Sequence, residues 1–166
     1  MPEKKKIVMI DDEPDLCLMV KGNLEDTGGF EVVTTSNALE AETLVQREKP
    51  DIVLVDVVMP GRRGDEVAAI LRKNPATKDI PIVMVSGKGE MIYNKKKDEF
   101  KWQPNNPMTK GRGNLPEAKG ADALSEAYGV DDYVSKPFTT ELLVDVIKGV
   151  FEKRRKAKQK AEAEEL

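Results

Sequence analysis

The chain has 166 residues, no histidine, a single cysteine and a formal net charge of −3. Without histidine, Ser-His-Asp and Cys-His catalysis and His-ligated zinc are excluded; one cysteine makes neither an internal disulfide nor a Cys₄ metal site. The length fits one domain with an insertion or a tail, and any chemistry falls to carboxylates, hydroxyls, lysines or a hard metal ion.

Apolar runs alternate with helical patterns along the chain. Ile7-Val8-Met9-Ile10 is the first strand and ends in Asp11-Asp12. Leu16, Met19, Val20 and Leu24, spaced by three and four, mark a helix with Pro14 in its first turn and Gly28-Gly29 after it. Phe30-Glu31-Val32-Val33-Thr34-Thr35 reads as the second strand, and Ser36 as the cap of a helix through Ala38, Ala41, Leu44 and Val45. Asp51-Ile52-Val53-Leu54-Val55-Asp56 is the third strand. Val67, Ala68, Ile70 and Leu71 mark a third helix that stops near Asn74-Pro75. Ile80-Pro81-Ile82-Val83-Met84-Val85-Ser86 holds the fourth strand. Ala121, Leu124 and Tyr128 suggest a fourth helix, Asp132-Tyr133-Val134-Ser135 a fifth strand, and Leu142, Leu143, Val146, Ile147, Val150 and Phe151 a long last helix. Val/Ile-rich runs indicate strands buried on both faces, and five strand–helix alternations predict an α/β fold with a doubly wound parallel sheet.

Charge is unevenly distributed. Residues 1–86 are net −5 and residues 120–147 net −5, whereas residues 87–119 carry eight basic and four acidic side chains, net +4, and residues 148–166 are net +3. The segment 87–119 shows no clear period of two or 3.6. It holds Lys95-Lys96-Lys97, several Pro and Gly, and three aromatics, Tyr93, Phe100 and Trp102, within ten residues. The segment reads either as a mobile surface insertion or as a partner-binding element, the latter because that density of aromatics is wasteful in a pure linker. The tail after Phe151 has high helix propensity but no apolar stripe. The mildly acidic whole does not point to nucleic acid. No apolar stretch approaches the ~18 residues of a membrane span. A lone free Cys17 and the short apolar run after Met1-Pro2-Glu3-Lys4-Lys5-Lys6 make the cytoplasm the expected location.

In a doubly wound sheet, ligands bind at the carboxyl ends of the strands. The residues there are Asp11 and Asp12, Asp56, Ser86, and Lys136 followed by Pro137. Each has an ordinary explanation alone: Asp12 as a helix cap, Asp56 as a turn residue before Pro60-Gly61, Ser86 as a turn cap, Lys136 as a surface lysine. Their convergence on one edge is the signal. Clustered carboxylates repel unless a cation sits among them, and with no His or Cys ligands that cation is a hard one, Mg²⁺ first and Mn²⁺ as a substitute. A carboxylate beside such a cation, a lysine and a hydroxyl suits phosphoryl transfer to that carboxylate.

Four stretches together resemble the receiver domain of two-component response regulators: Ile7-Val8-Met9-Ile10-Asp11-Asp12-Glu13-Pro14, Asp51 through Gly61, Val83-Met84-Val85-Ser86-Gly87, and Gly129 through Phe138. The resemblance covers roughly residues 5–89 and 120–151, and implies a stand-alone, chemotaxis-regulator-like flavodoxin fold with strand order 2-1-3-4-5. It implies Asp56 as phosphoacceptor, Asp11, Asp12, Asp56 and the Val58 carbonyl as metal ligands, Ser86 and Lys136 as partners of the phosphoryl oxygens, and Ser86 with Tyr133 as the switch pair. It also implies a cis Lys136–Pro137 bond. The donor would be a sensor histidine kinase or a phosphotransfer protein, and the domain would catalyse its own phosphorylation and dephosphorylation. In such a protein the missing histidine is supplied by the partner.

Two departures stand out. Val58 and Lys88 occupy positions that in the family influence phosphoryl lifetime, and the segment of about 30 residues (90–119) interrupts the stretch between fourth strand and fourth helix. That segment is expected to serve as an output or specificity element. The expected layout is a receiver domain over 1–152 and a charged helical or disordered tail over 153–166. A flavodoxin-like cofactor module is the rival, but Asp11-Asp12-Glu13-Pro14-Asp15 would repel a flavin phosphate. A haloacid-dehalogenase-type phosphatase would need a second Asp where Val58 stands, and Gly87-Lys88-Gly89 lacks the third glycine of a dinucleotide fingerprint. A receiver fragment of a larger effector protein is the remaining alternative.

Overall fold

The computed structural model describes residues 3–86, 91–94, 99–102, 118–119 and 129–165, with side chains over 3–85 and 129–165. The first half alternates strand and helix: β1 (Lys5–Ile10), α1 (Pro14–Asp26), β2 (Phe30–Thr35), a 3₁₀ turn (Ala38–Glu40), α2 (Ala41–Glu48), β3 (Ile52–Asp56) and α3 (Gly64–Lys73). Then follow β4 (Ile82–Ser86), β5 (Met91–Asn94), β6 (Glu99–Trp102), β7 (Ala118–Lys119), β8 (Asp132–Ser135) and α4 (Thr140–Glu164). Five strands form one parallel sheet in the order β2-β1-β3-β4-β8. With β8 counted as the fifth strand of that sheet, this is the expected 2-1-3-4-5.

Strand alternation divides the core in two. Val8, Ile10, Val53, Val55, Ile82 and Met84 pack with Ala41, Leu44 and Val45 of α2 and Val67, Ala68 and Leu71 of α3. Their neighbours Ile7, Met9, Ile52, Leu54, Val83 and Val85 pack on the other face with Cys17, Val20 and Leu24 of α1 and Leu143, Ile147 and Val150 of α4. Both faces of each central strand are therefore covered, which is why the strands read as continuous apolar runs.

Two local readings differ from the sequence expectation, and a third is untested. Asn37 rather than Ser36 makes the cap: its Oδ1 accepts from Leu39 N at 3.0 Å and opens the 3₁₀ turn, and α2 starts only at Ala41. The stretch expected to lack period holds β5, β6 and β7, an antiparallel three-stranded sheet with β6 in the centre. Each alternation there lasts at most four residues, and Ile92 blurs it. The fourth expected helix, around Ala121, Leu124 and Tyr128, lies outside the described residues.

Polar bonds fasten the re-entry of the chain into β8. Arg72 of α3 donates to the carbonyls of Gly129 (2.8 Å) and Ile80 (2.6 Å), and its guanidinium lies 3.3 Å from Asp131 Oδ2. Arg154 of α4 grips both Asp131 oxygens, at 2.6 and 3.0 Å. Asp131 also accepts from Ile82 N at 2.9 Å. One carboxylate thus ties α3, α4 and the start of β4 to the root of β8. Beyond Arg154, the last turns of α4 are exposed and rich in charge, as a helix with no apolar stripe there must be.

Candidate functional site

The parallel sheet brings three carboxylates to the carboxyl ends of β1 and β3. Asp11 and Asp12 follow β1, and Asp56 is the last residue of β3. One oxygen from each lies within 4.8 Å of the others. Asp11 is 0% exposed and Asp56 2%, an expensive place for charge unless it is compensated. Compensation begins with Lys136, just past the end of β8 on the same edge. Its Nζ lies 2.8 Å from Asp11 Oδ2, 3.7 Å from Asp56 Oδ1 and 3.5 Å from the exposed Glu13. The Lys136–Pro137 peptide is cis.

Local bonds hold Asp11 in place. Glu13 N–H donates to Asp11 Oδ1 at 3.0 Å, an Asx turn, and the Cys17 thiol donates to the Asp11 carbonyl at 3.3 Å. Burial pushes the Asp11 carboxyl above its usual range, with the Lys136 hydrogen bond and the Glu13 N–H pulling the other way. Burial pulls Lys136 down, but the hydrogen bond to Asp11 and the charges of Asp56, Asp11 and Glu13 outweigh it, so the ammonium is held more firmly protonated than usual.

The residues fit a hard divalent cation. The donor set is all carboxylate oxygen, and the single ammonium of Lys136 stands beside a cluster of three carboxylates, a formal excess of negative charge even before Glu13 is counted. Asp11 and Asp56 are almost fully buried, where excess negative charge is costly, so a cation among the three carboxylates would be stabilising.

Ser86 and Val58 fall on the same edge, and Tyr133 lies further back along β8. Ser86 ends β4 and pairs in register with Ser135, although its hydroxyl lies outside the described side chains. Val58, two residues beyond Asp56, is buried in the loop after β3. Tyr133 on β8 pairs with Met84, is half-buried against the α2/α3 side of the core, and has its phenol pushed up by that burial.

Two contributors were missed in the sequence. Glu13 orients Asp11 through its N–H; the Asp-x-Glu spacing carried that signal. Gly64 opens α3 with its N–H on Val57 O at 2.8 Å, and a Cβ there would lie 2.3 Å from the Asp56 carbonyl oxygen. Only glycine lets the helix start so close to the strand end that carries Asp56.

The model of the response regulator receiver domain family matches residues 7–99, more than half of the chain. The chain belongs to this family. As a receiver it is 31% identical over 150 residues to the phosphate regulon transcriptional regulatory protein PhoB of Rhizobium meliloti, covering 90% of this chain and 53% of that protein. It is 30% identical over 146 residues to PhoB of Pseudomonas aeruginosa, covering 88% and 51%. The chain spans about half the length of these curated relatives. Among solved structures, chemotaxis response regulator CheY4 of Vibrio cholerae superposes with a TM-score of 0.62 at 25% identity, over 89% of this receiver and 99% of that chain. A response regulator from Desulfuromonas acetoxidans, at 22% identity and a TM-score of 0.62, shares the fold over 89% and 97%. Among the described residues, no helix is long and apolar enough to cross a membrane.

Proposed function

We propose that this receiver takes a phosphoryl group onto Asp56 from a phosphohistidine of a sensor kinase or phosphotransfer protein. The observation that carries this is the convergence of Asp11, Asp12 and Asp56 within 4.8 Å beside Lys136, at the carboxyl edge of the sheet. Asp11, Asp12, Asp56 and the carbonyl of Val58 would hold a Mg²⁺. When bound, the ion neutralises charge on the phosphoryl oxygens.

The protein's own groups do the rest. An Asp56 carboxylate oxygen attacks phosphorus in line; the new P–O bond forms as the P–N bond breaks, and the partner's imidazole leaves with the electron pair and takes up a proton. Lys136 pairs with an equatorial oxygen and Ser86 donates a hydrogen bond to another. Hydrolysis reverses the charge: water attacks phosphorus, the Asp56 carboxylate leaves, and inorganic phosphate is released. Ser86, drawn to the phosphoryl group, lets Tyr133 turn inward, and the face around β8 changes with it.

The donor is expected at the α1 side of the site. Leu18, Met19 and Leu142 are large and exposed, at 65%, 51% and 48%. Met19 also lines a mixed polar and apolar cleft of about 200 Å³ with Val20, Asn23, Phe138, Thr140 and Leu143, and Phe138 stands two residues beyond Lys136. An apolar surface beside a charged pocket suits a helical histidine-bearing partner that must seat its imidazole over Asp56.

Intact-mass measurement after incubation with Mg²⁺ and acetyl phosphate tests the reading. Wild type gains the mass of one phosphoryl group and Asp56→Asn gains none. Equal gain in both, or none in wild type with any small donor, overturns it.

A further inference from the structure

The loop that leads from β3 into α3 holds a cation that the site described above does not use. Residues 57–63 leave the end of β3 and come back to it: Gly64 N donates to Val57 O at 2.8 Å, and a Cβ on Gly64 would lie 2.3 Å from the Asp56 carbonyl oxygen. Arg62 and Arg63 are the last two residues before that closure. Only two Cα steps of about 3.8 Å separate Arg62 from Gly64, so its backbone stays beside the strand end that carries Asp56.

The two arginines are used differently. Arg63 Nε stands 3.1 Å from Asp65 Oδ1 and 3.2 Å from Glu66 Oε1, so its charge is balanced within the first turn of α3. Arg62 is half-buried and, among the described residues, has neither an ion pair nor a hydrogen-bond partner. It lines a cleft of about 200 Å³ with Met59, Gly61, Arg63 and Glu66. A guanidinium offers five donors in a planar fork that matches a carboxylate, and this one is not spent on any described acid.

Size and position choose the anion. The cleft is smaller than the ~300–1,000 Å³ of sites for drug-sized ligands, so it suits a group of a few heavy atoms and not a nucleotide. Asp56 is 2% exposed, so in-line displacement on its carboxylate sends the leaving group outward, toward the loops of this edge. A carboxylate departing there gains negative charge in the transition state, which a guanidinium stabilises. The imidazole of a phosphohistidine leaves neutral and draws no such help.

We infer that Arg62 is a specificity-determining residue that receives the carboxylate leaving group of a small acyl phosphate, a second donor class beside phosphohistidine. In that step an Asp56 oxygen bonds to phosphorus, the bond from phosphorus to the acyl oxygen breaks, and that oxygen leaves with the electron pair as a carboxylate; no proton is needed. This deepens the receiver reading, on which it rests, by making the leaving group part of donor choice.

Phosphorylation of the full chain with Mg²⁺ is followed by intact mass, using either acetyl phosphate, which releases acetate, or phosphoramidate, which releases ammonia. The quantity read is the ratio of the two second-order rate constants, which cancels any general loss of folding or Mg²⁺ affinity. Arg62→Gln is expected to lower the ratio about tenfold, and Arg62→Lys, which keeps the charge without the fork, to lower it less. Glu66 shares the cleft and is 49% exposed, so Glu66→Gln removes a repelling carboxylate and is expected to raise the ratio about twofold. An Arg62→Gln ratio equal to that of wild type overturns the inference, whether both rates hold or both fall together. So does a Glu66→Gln ratio below that of wild type. The receiver reading fails by a different result: wild type labelled by neither donor, or Asp56→Asn labelled as fast as wild type by both.

Discussion

Replacing Gly64 by alanine tests how tightly α3 is docked against the strand that carries Asp56. The added Cβ would lie 2.3 Å from the Asp56 carbonyl oxygen, 3.0 Å from its carbon and 3.1 Å from Val57 Cα, all backbone atoms with no rotamer to yield. Ordinary contact begins near 3.4 Å, so the start of the helix must retreat by about 1 Å. Overpacking of this kind costs about 1–3 kcal/mol. The retreat also stretches the 2.8 Å bond from Gly64 N to Val57 O, worth about 1 kcal/mol. A loss of about 2–4 kcal/mol follows, a large part of the ~5–15 kcal/mol typical of a domain. Urea unfolding measures it, and the rate of phosphorylation by acetyl phosphate should fall as well, because the overlap bears on the Asp56 backbone. Gly22→Ala in α1 and Gly149→Ala in α4 are the controls. A Cβ meets nothing within 4 Å at either, so each should stabilise by about 0.5–1 kcal/mol. A Gly64→Ala midpoint equal to wild type would refute the close-approach argument.

The remaining predictions concern charge and reactivity. Mg²⁺ at ~100 times its dissociation constant should raise unfolding stability by about 2.7 kcal/mol, and Asp12→Ala should abolish most of that gain in the same urea titration. In Mg²⁺-free buffer, Asp56→Asn should raise the urea midpoint by the equivalent of about 1 kcal/mol, because it removes one of three clustered negative charges; a lowered midpoint would mean that Lys136 already balances them. Burial and the nearby Asp11 charge push the Cys17 thiol up to about 11, so the neutral thiol prevails at pH 8 and a disulfide reagent should react only after denaturant is added. Rapid reaction of the native protein would contradict the packing of α1. Arg72→Ala should destabilise more than Arg154→Ala, about 2–3 against about 1 kcal/mol. Arg72 also satisfies the carbonyls of Gly129 and Ile80, whereas Arg154 is 38% exposed.

What the sequence made legible follows from what is local in it. Val/Ile runs marked the ends of β1, β3 and β4, so Asp11, Asp12 and Asp56 could be placed on one edge before any coordinates. Lys136 followed from the Tyr133-Val134-Ser135 run in the same way. Gly64 was invisible because its constraint is the approach of a helix to a strand end, a tertiary distance with no local pattern. The Arg72–Asp131–Arg154 tie was hidden for the same reason, since its partners are 59 and 23 residues apart. The small sheet escaped because Glu99-Phe100-Lys101-Trp102 alternates for only four residues while Met91-Ile92-Tyr93 does not. Asn37 displaced Ser36 as cap because its carboxamide reaches Leu39 N from one residue further on.

The buried Asp56, and no neighbouring group, is expected to form the acyl phosphate. Borohydride reduction of the protein after phosphorylation by acetyl phosphate and Mg²⁺ cleaves an aspartyl phosphate and leaves homoserine in its place, which peptide mass mapping locates. Homoserine at position 56 is the predicted result. Homoserine at position 11 or 12, or a borohydride-stable phosphate on Ser86, would contradict the account.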